Sequence, residues 1–487
     1  MNRSLALVVC LSSALPGAAL AAKCATGNVP GATLLAPYFR VSRNGVLNAS
    51  SDIPDLPAQT DTLMSITNAG GTALIAHATV FSKYGVPVLD FNIPLTAYDV
   101  AFFRMKDILN GKLNVNPLTQ SGAVRNDPCG INQANGVYAP ITGFGRTRYV
   151  RFANPDASDA KIAISRYATP AFDGAFRQRV WDSLDESGDV TQLAGPGQFV
   201  LDTDTACTGG SYTLDGRLEG DFSGYVTFDV VNFCTTFDPT EPQLYTNDAL
   251  ATAGWAAAGY TPNALIGDVF YVDSSAVVPH ISGDPMVALE FQPGIDWNTR
   301  RSFYGRYWTR ADAAATATAP EAFRFVGDGR EALGSQYGFR YLSDEVQGLR
   351  SWAVIWRADR YGTDTNLCAF WNSQGEYGAG LYERSHALAT SLFDNDENQF
   401  VTGGMAGSFL INLFTFLETQ RIDLQWNGEI NPGAFRGGYV DVLLPGSQDG
   451  QAYVSVQHSG PGSLLSVGHG AALLNRASCD IPFSPAH

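Results

Sequence analysis

Three acidic side chains crowd one short stretch of the sequence, "LFDNDENQF". Asp394, Asp396 and Glu397 stand there with two asparagines between apolar segments. Hard cations such as Ca²⁺ prefer carboxylate and amide oxygens at this density. The stretch lacks the glycine and the distal glutamate of an EF-hand loop, and a solvated acidic turn is the favoured alternative. The sequence therefore offers one candidate calcium site and predicts no other cofactor.

Aromatic and arginine residues alternate in a second stretch, "RSFYGRYWTR". In a β-strand every second residue shares a face, which groups four side chains: Tyr304, Arg306, Trp308 and Arg310. Flat aromatic rings stack on sugar rings, and arginine donates to hydroxyl or carboxylate groups, so this face could bind a glycan. The favoured alternative is a cross-strand ladder that stabilises the sheet and contacts no ligand.

Histidines are few and widely spaced, six in all. His77 lies in "NAGGTALIAHATVF", which a weak internal echo, "NPDASDAKIAISRY", matches with Ala163 at the same place; both segments read as strand, Asn-led turn, strand. This favours a structural His77 over a catalytic one. His458 and His469 flank a predicted turn. If that hairpin closes, they could face one another as a metal or catalytic pair, or be two ordinary strand residues, which we favour.

Recognisable catalytic motifs are missing from the sequence. It contains no G-x-S-x-G elbow, no H-E-x-x-H, no P-loop and no dinucleotide-binding glycine motif. A glycosidase needs only two carboxylates, which need not be close in sequence. Enzyme activity is therefore uncertain, and the sequence favours a protein without it.

The N-terminus reads as a signal peptide over residues 1–21. Arg3 is followed by an apolar segment, Leu5 to Leu15, and by the small-x-small site Ala19-Leu20-Ala21. We therefore predict a secreted protein, periplasmic or extracellular. The formal net charge of −16 argues against nucleic acid as a partner. The most apolar later segment, "SFLINLFTFLE", is too short for a membrane helix, so no membrane insertion is predicted.

Six cysteines remain after the predicted signal peptide, and an even number in an exported chain indicates disulfides. No two stand in a C-x-x-C spacing, which weakens both a zinc site and a redox motif. Six cysteines allow 15 connectivities. The preferred hypothesis pairs neighbours along the chain: Cys24 with Cys129, Cys207 with Cys234, and Cys368 with Cys479.

Hydrophobic residues recur mainly with a period of two. In "VPVLDFNIPL" four apolar residues, Leu89, Phe91, Ile93 and Leu95, share one face, which predicts a half-buried strand. After a turn the apolar face is expected to pass to Tyr98, Val100 and Phe102. Similar short runs, among them "GYVTFDVVNF", "SWAVIWRAD" and "QAYVSVQHS", favour antiparallel sheets; in "SWAVIWRAD", Trp352, Val354 and Trp356 read as core. The best helix candidate is "TNDALATAGWAAAGY".

These patterns predict a mainly-β protein with two antiparallel β-sandwich domains, Ig-like or jelly-roll, joined by a looser central region. The predicted limits are an N-terminal Ig-like β-sandwich at 22–170, a central β-rich region with a short helix at 171–340, and a C-terminal β-sandwich at 341–487.

The segment "ITNAGGTALIAHATVF" resembles bacterial Ig-like repeats, in which a strand ending in TN precedes a glycine-rich turn and a second strand. More broadly, the order of "LLAPYFRVS", "GVPVLDFNIPLTAYDV", "NALIGDVFYVDSS", "SFYGRYW" and "LFDNDENQF" is similar to a group of uncharacterised secreted bacterial proteins. That resemblance implies export and β architecture. It brings no established activity and no site residues.

The expected function is that of a noncatalytic envelope or extracellular protein that binds a glycan or a surface protein, or contributes to a surface assembly. The alternative is a secreted hydrolase of polysaccharides with a carboxylate pair. The two demand different structures. Binding needs an exposed aromatic patch on a sheet face or loop end, whereas hydrolysis needs a cleft with two facing carboxylates, one of them with a raised pKa.

Overall fold

The computed structural model describes about a third of the chain in separate segments. The longer ones are residues 29–42, 60–71, 74–82, 87–109, 221–231, 262–273, 280–291, 330–334, 336–344, 348–358, 419–424, 436–443 and 451–460. Shorter pieces are 139–141, 148–150, 303–304, 389–394, 399–402, 467–470 and 472–473, with the single residues 184 and 239. β-strands make up most of these residues, so the predicted mainly-β fold is confirmed.

Within the described residues, the first unit contains nine strands and one short helix. In chain order they are β1 (Thr33–Ser42), β2 (Thr60–Asn68), β3 (Leu74–Ser82), β4 (Pro87–Leu95), β5 (Val100–Arg104), α1 (Met105–Leu109), β8 (Asp221–Val231), β9 (Leu265–Asp273), β10 (His280–Pro285) and β11 (Val287–Leu289). They form a five-stranded sheet of order β11-β1-β8-β3-β4 and a four-stranded sheet of order β10-β9-β2-β5. β6 (Ala139–Ile141) and β7 (Arg148–Val150) form a separate two-stranded sheet.

The two sheets of the first unit share one hydrophobic core. Phe103 of β5 contacts Phe91 of β4 and Phe228 of β8, with ring centroids 6.4 Å and 5.4 Å apart. The predicted inward face of β4 is confirmed. Its polar face is buried as well, however, since Asp90 and Asn92 are enclosed by the chain. The prediction of a half-buried strand is therefore wrong on that side.

The Asn-led turn after β2 connects the two sheets instead of closing a hairpin. β3 pairs with β4 and β8, whereas β2 pairs with β5 and β9. Asn68 holds the connection, because its side chain donates to the Thr96 carbonyl (2.7 Å) and accepts from the Gly70 amide (2.9 Å). The predicted succession of strand, Asn-led turn and strand is thus confirmed, but the two strands lie in different sheets. Its echo, 154–167, lies outside the described residues.

The residues of β5 that point into the core are not the predicted ones. Ala101 and Phe103 point into the core, while Phe102 is 66% exposed and Tyr98, in the turn, is 72% exposed. Tyr98 has a φ of 58°, a left-handed conformation typical of turns. Because Phe102 and Phe103 are adjacent, either register of the strand buries a phenylalanine, and the local pattern alone cannot choose between them.

The second unit is built from β12 (Gln336–Leu342), β13 (Arg350–Ala358), β14 (Ala389–Asp394), β15 (Gln399–Thr402), β16 (Thr419–Asp423), β17 (Gly437–Leu443), β18 (Gln451–Ser459), β19 (Val467–Gly470) and β20 (Ala472–Leu473). Its sheets have the orders β15-β14-β17-β12-β20 and β16-β13-β18-β19. Both contribute to a second core, which includes Phe339, Ile355, Val440 and Val454.

The sheet that contains β13 is buried on both faces. Ala353 and Ile355 face the second core, and the opposite face carries Trp356 against the first unit. The Trp356 ring lies 5.9 Å from Tyr225 of β8 and 5.4 Å from Phe303. The Thr419 hydroxyl of β16 also donates to the Pro37 carbonyl of β1. The predicted burial of this tryptophan face is confirmed, and its place is the junction of the two units.

Strand pairing crosses a predicted domain limit. β8 to β11 lie in the predicted central region, yet they complete the sheets begun by β1 to β5. The Ig-like or jelly-roll type of each unit stays a prediction. Four predicted features lie outside the described residues: the predicted signal peptide, the six cysteines that follow it, the apolar segment "SFLINLFTFLE" and the helix candidate at 246–260. In the part of the chain that is described, no helix has the length and apolarity to cross a membrane.

Candidate functional site

Most of the predicted ligand-contacting residues lie outside the described part of the chain. These are Arg306, Trp308 and Arg310 of the glycan prediction, and Asp396 and Glu397 of the calcium prediction. Asp394 is the last residue of β14. The described residues contain no group of three or more histidine, cysteine or acidic side chains that could hold a metal ion. Calcium binding at 394–397 stays a prediction.

Tyr304 is a buried member of an ion-pair network. Its hydroxyl donates to Asp229 Oδ2 at 2.5 Å, and its side chain is almost fully enclosed. The Thr33 hydroxyl donates to Asp229 Oδ1, and Arg330 Nε lies 3.3 Å from the same oxygen. Burial and the nearby Asp229 carboxylate raise the pKa of Tyr304, and the Arg330 charge opposes them. Tyr304 therefore stabilises the interior and does not lie on an exposed sheet face.

His77 lies on the same buried face of the five-stranded sheet. In the strand ladder it stands opposite Asp229 on one side and Asn92 on the other. His77 Nδ1 is 3.0 Å from the Asn92 side-chain oxygen, so Nδ1 carries the proton and donates it. The fully buried imidazole is thus held inside the sheet by a neighbouring strand.

The C-terminal hairpin forms, but its two histidines are not cross-strand partners. His458 stands opposite Val467, and His469 stands opposite Val456. The two histidines are therefore diagonal neighbours on the hairpin, and the favoured interpretation of two ordinary strand residues stays a prediction. The turn between the two strands fixes their register. In this register each histidine stands two residues away from the position directly opposite the other.

A serine does lie beside His458, at a distance typical of a catalytic pair. Ser351 Oγ is 2.8 Å from His458 Nδ1. That hydroxyl donates to the Leu342 carbonyl (2.5 Å) and accepts from the Leu342 amide (3.0 Å). When the hydroxyl proton lies on the Leu342 carbonyl, Oγ accepts from His458 Nδ1, and in this arrangement the imidazole does not act as a base toward the serine. The contact ties β12, β13 and β18 together without activating a nucleophile.

One surface of the first unit exposes large apolar side chains. We name it the outer apolar face; it comprises Tyr98, Phe102, Ile266, Phe270 and Ile281. All five are more than a third exposed. Four of them point away from the core on the four-stranded sheet. The residues next to them in sequence, such as Phe103 and Val269, point into the core, and successive residues of a strand point to opposite faces. Tyr98 lies in the turn before β5.

Register places these side chains on β5, β9 and β10, with β2 between β5 and β9. Phe102 of β5 stands opposite Ser65 of β2, which in turn stands opposite Asp268 of β9. Phe270 stands opposite Gly283 of β10, and a Cβ at Gly283 would lie 2.6 Å from the Phe270 ring. The phenylalanine ring therefore lies across the glycine. The result is a flat apolar surface that continues from β9 to the edge strand β10.

Acidic groups border the outer apolar face. Asp268 is exposed beside Phe270 and accepts from the Ser65 hydroxyl at 3.3 Å. Arg104 is half exposed and binds the buried Asp61 carboxylate through Nε and Nη2, at 2.9 Å and 2.8 Å. Burial raises the pKa of Asp61, and the Arg104 charge opposes it. Among the described residues, Asp268 is therefore an exposed negative charge beside this face, while the Arg104 charge is offset by Asp61.

The sequence contained a signal for this face that the alternation pattern hid. In β9, "LIGDVFYVD", both phases carry apolar residues: Leu265 and Val269 enter the core, and Ile266 and Phe270 face solvent. A strand of an antiparallel sheet with one solvated side is expected to be polar there. Apolar residues on both phases indicate a second contact surface.

Two carboxyls in the described residues have a raised pKa, Asp61 and Asp284, and Asp61 is paired with Arg104. Burial raises the pKa of Asp284 to about 6. The nearby Ser455 hydroxyl lowers this pKa, and the Asp268 charge raises it. Asp284, however, points to the same core-facing side of the sheet as Val269, its cross-strand neighbour, whereas Asp268 points to the outward side. Asp284 and Asp268 therefore do not flank one cleft.

No known protein family, curated protein or solved structure matches the chain. The geometry defines a mainly-β protein of paired antiparallel sheets with one exposed apolar sheet face. Its buried polar clusters at Asp229 and Ser351 are structural.

Proposed function

We propose that the protein is an exported, noncatalytic β-protein that contributes to a surface assembly by docking another protein on the outer apolar face. The observation that carries this proposal is the exposure of Phe102, Ile266, Phe270 and Ile281 on one side of a single sheet. Contiguous exposed apolar groups are rare on the surface of a monomer and mark interaction sites. A protein partner would remove them from water.

The chemistry of the face favours a protein over a glycan. Two of its side chains, Ile266 and Ile281, are aliphatic, and they offer a sugar neither a flat ring nor a hydrogen bond. Packed aliphatic and aromatic groups are typical of the centre of a protein interface. The adjacent Asp268 and the net charge of −16 indicate a partner with an apolar surface and a basic rim.

Export is the second part of the proposal. It is supported by the signal-like residues 1–21 and by the even number of cysteines that follow them. N-terminal sequencing of the protein recovered outside the cytoplasm should begin at residue 22. Peptide mapping without reduction should find disulfides, and free thiols at Cys207 and Cys234 would contradict the proposed pairing.

Site-specific photocrosslinking tests the docking proposal. A photoreactive phenylalanine analogue replaces Phe102 or Phe270 in the full chain, and the producing cells are irradiated. We expect one and the same protein to be captured from both positions, and to bind the purified chain more weakly at high salt. The matched control is position 342, because Leu342 is an exposed apolar residue of the second unit.

A variant distinguishes docking from nonspecific contact. Ile266→Asp puts a charge on an exposed position of the outer apolar face and should abolish capture at position 102 without unfolding the chain. Equal capture at 342 and 102 would contradict the proposal. So would a glycan array on which the wild type binds and Phe102→Ala does not, or polysaccharide cleavage by the purified protein.

A further inference from the structure

The edge strand β10 belongs to the first unit but packs against β18 and β19 of the second. Asp284 lies on the inner side of β10, only 4% exposed. Its neighbour across this junction is Ser455 of β18. Ser455 and Gln457 stand opposite Gly470 and Gly468 of β19, so this part of β19 presents no side chain toward the junction.

Asp284 is enclosed without the partners that a buried carboxylate needs. Neither of its oxygens has a partner at normal hydrogen-bond distance, and the Ser455 hydroxyl is close enough only to lower the pKa of the carboxyl. The fully buried Ser282 hydroxyl, two residues before it on the same side of β10, has no hydrogen-bond partner either. An ionised carboxylate buried in this way is strongly disfavoured, and the usual response of such a group is to bind a proton. The junction is therefore built for the neutral acid.

Among the residues that the structure describes, the surrounding elements supply no compensating cation to this carboxyl. β9 contributes Tyr271 and the exposed Asp268, β18 contributes Tyr453, Ser455 and Gln457, and β12 contributes Tyr337 behind Tyr453. Arg421 of β16 is near Tyr271, but its guanidinium stacks on the Trp352 ring, 4.7 Å from the centroid. Burial and the Asp268 charge accordingly hold the pKa of Asp284 at about 6, against the opposing Ser455 hydroxyl.

We propose that this junction is an acid-stabilised contact, closed when Asp284 carries a proton and weakened when the carboxyl ionises. The carboxyl has a pKa of 3.8 when exposed and about 6 when enclosed. The closed form therefore binds the proton more tightly, and its stability falls as pH rises through this interval, then stays constant above about pH 6. A difference of about two pKa units corresponds to a change of about 100-fold in the opening equilibrium.

Hydrogen exchange of the full chain, followed by mass spectrometry from pH 4 to pH 7.5, tests this directly. After correction for the intrinsic pH dependence, peptides from β10 and β18 should lose up to about 100-fold in protection and level off near pH 6. Peptides from β3 and β4, on the other side of the first unit, serve as the internal reference and should not change.

Two variants separate the acid effect from a general one. Asp284→Asn should make protection at β10 and β18 independent of pH, and Asp268→Asn should keep the dependence but move its plateau to lower pH. If Asp284→Asn does not fold, the wild-type measurement still tests the proposal, because the protection of β10 and β18 must level off near pH 6. A uniform loss in all peptides, a pH dependence retained by Asp284→Asn, or protection restored at pH 7.5 by calcium would overturn the proposal.

Discussion

At the residue scale, the strongest polar interactions of this protein are internal. Asp229 binds the Tyr304 hydroxyl, the Thr33 hydroxyl and Arg330 in a fully buried network. Tyr304→Phe removes the donor 2.5 Å from Asp229 Oδ2 and leaves that oxygen short of a partner. We expect the free energy of unfolding to fall by about 1–3 kcal/mol, measured by urea denaturation.

The same substitution at Tyr98 is the matched control for this prediction. Tyr98 is 72% exposed, and a surface change of this kind stays within about 0.5 kcal/mol. If both variants lost equal stability, the interior role assigned to Tyr304 would be wrong. Unchanged stability of Tyr304→Phe would contradict it as well.

At the scale of the element, Gly224 of β8 fixes how three strands meet. It stands opposite Phe39, where the register of β1 shifts, and opposite Ser82 of β3. A Cβ there would collide with the Phe81 carbonyl oxygen and come within 2.9 Å of the Phe39 ring. Because that oxygen belongs to the backbone, we expect Gly224→Ala to cost at least about 3 kcal/mol, read from the unfolding midpoint.

Gly460→Ala provides the comparison, since a Cβ at that position would make only an ordinary contact, 3.5 Å from Leu349. Its unfolding midpoint should match the wild type within experimental error. A Gly224→Ala protein as stable as the Gly460→Ala protein would show that β8 can move away from Phe81 and Phe39, against the close approach that the sheet requires.

The sequence predicted those features of the elements that depend on alternation alone. The inward residues of β4, Leu89 to Leu95, and the tryptophan face of β13 follow from a period of two. The phase of β5 did not follow, because Phe102 and Phe103 are adjacent. Nor did the long-range partners: Asp229 and Tyr304 come together through chain closure over 75 residues, which no local pattern encodes.

At the scale of the whole molecule, the sequence could not distinguish the outer apolar face from the junction, for one common reason. Both depend on which side of a strand another sheet covers. β9 and β13 each carry apolar residues on both phases; in β13 the second phase is covered by the first unit, whereas in β9 it faces solvent. The same local pattern therefore gives an internal contact in one place and a docking surface in the other.

The junction should make the two units unfold together. Trp356 is fully buried, and its ring contacts Tyr225 and Phe303 of the first unit while its own strand lies in the second. Trp356→Ala removes this packing and should cost about 3–5 kcal/mol, as other large-to-small changes in cores do.

By calorimetry we expect one heat-absorption peak for the wild type and two for the variant, because each unit retains its own core. Leu342→Ala, at an exposed apolar position, should keep the single peak. Two peaks in the wild type would mean that the sheet buried on both faces does not couple the units, and the pH effect at Asp284 would then be confined to β10 and its immediate neighbours.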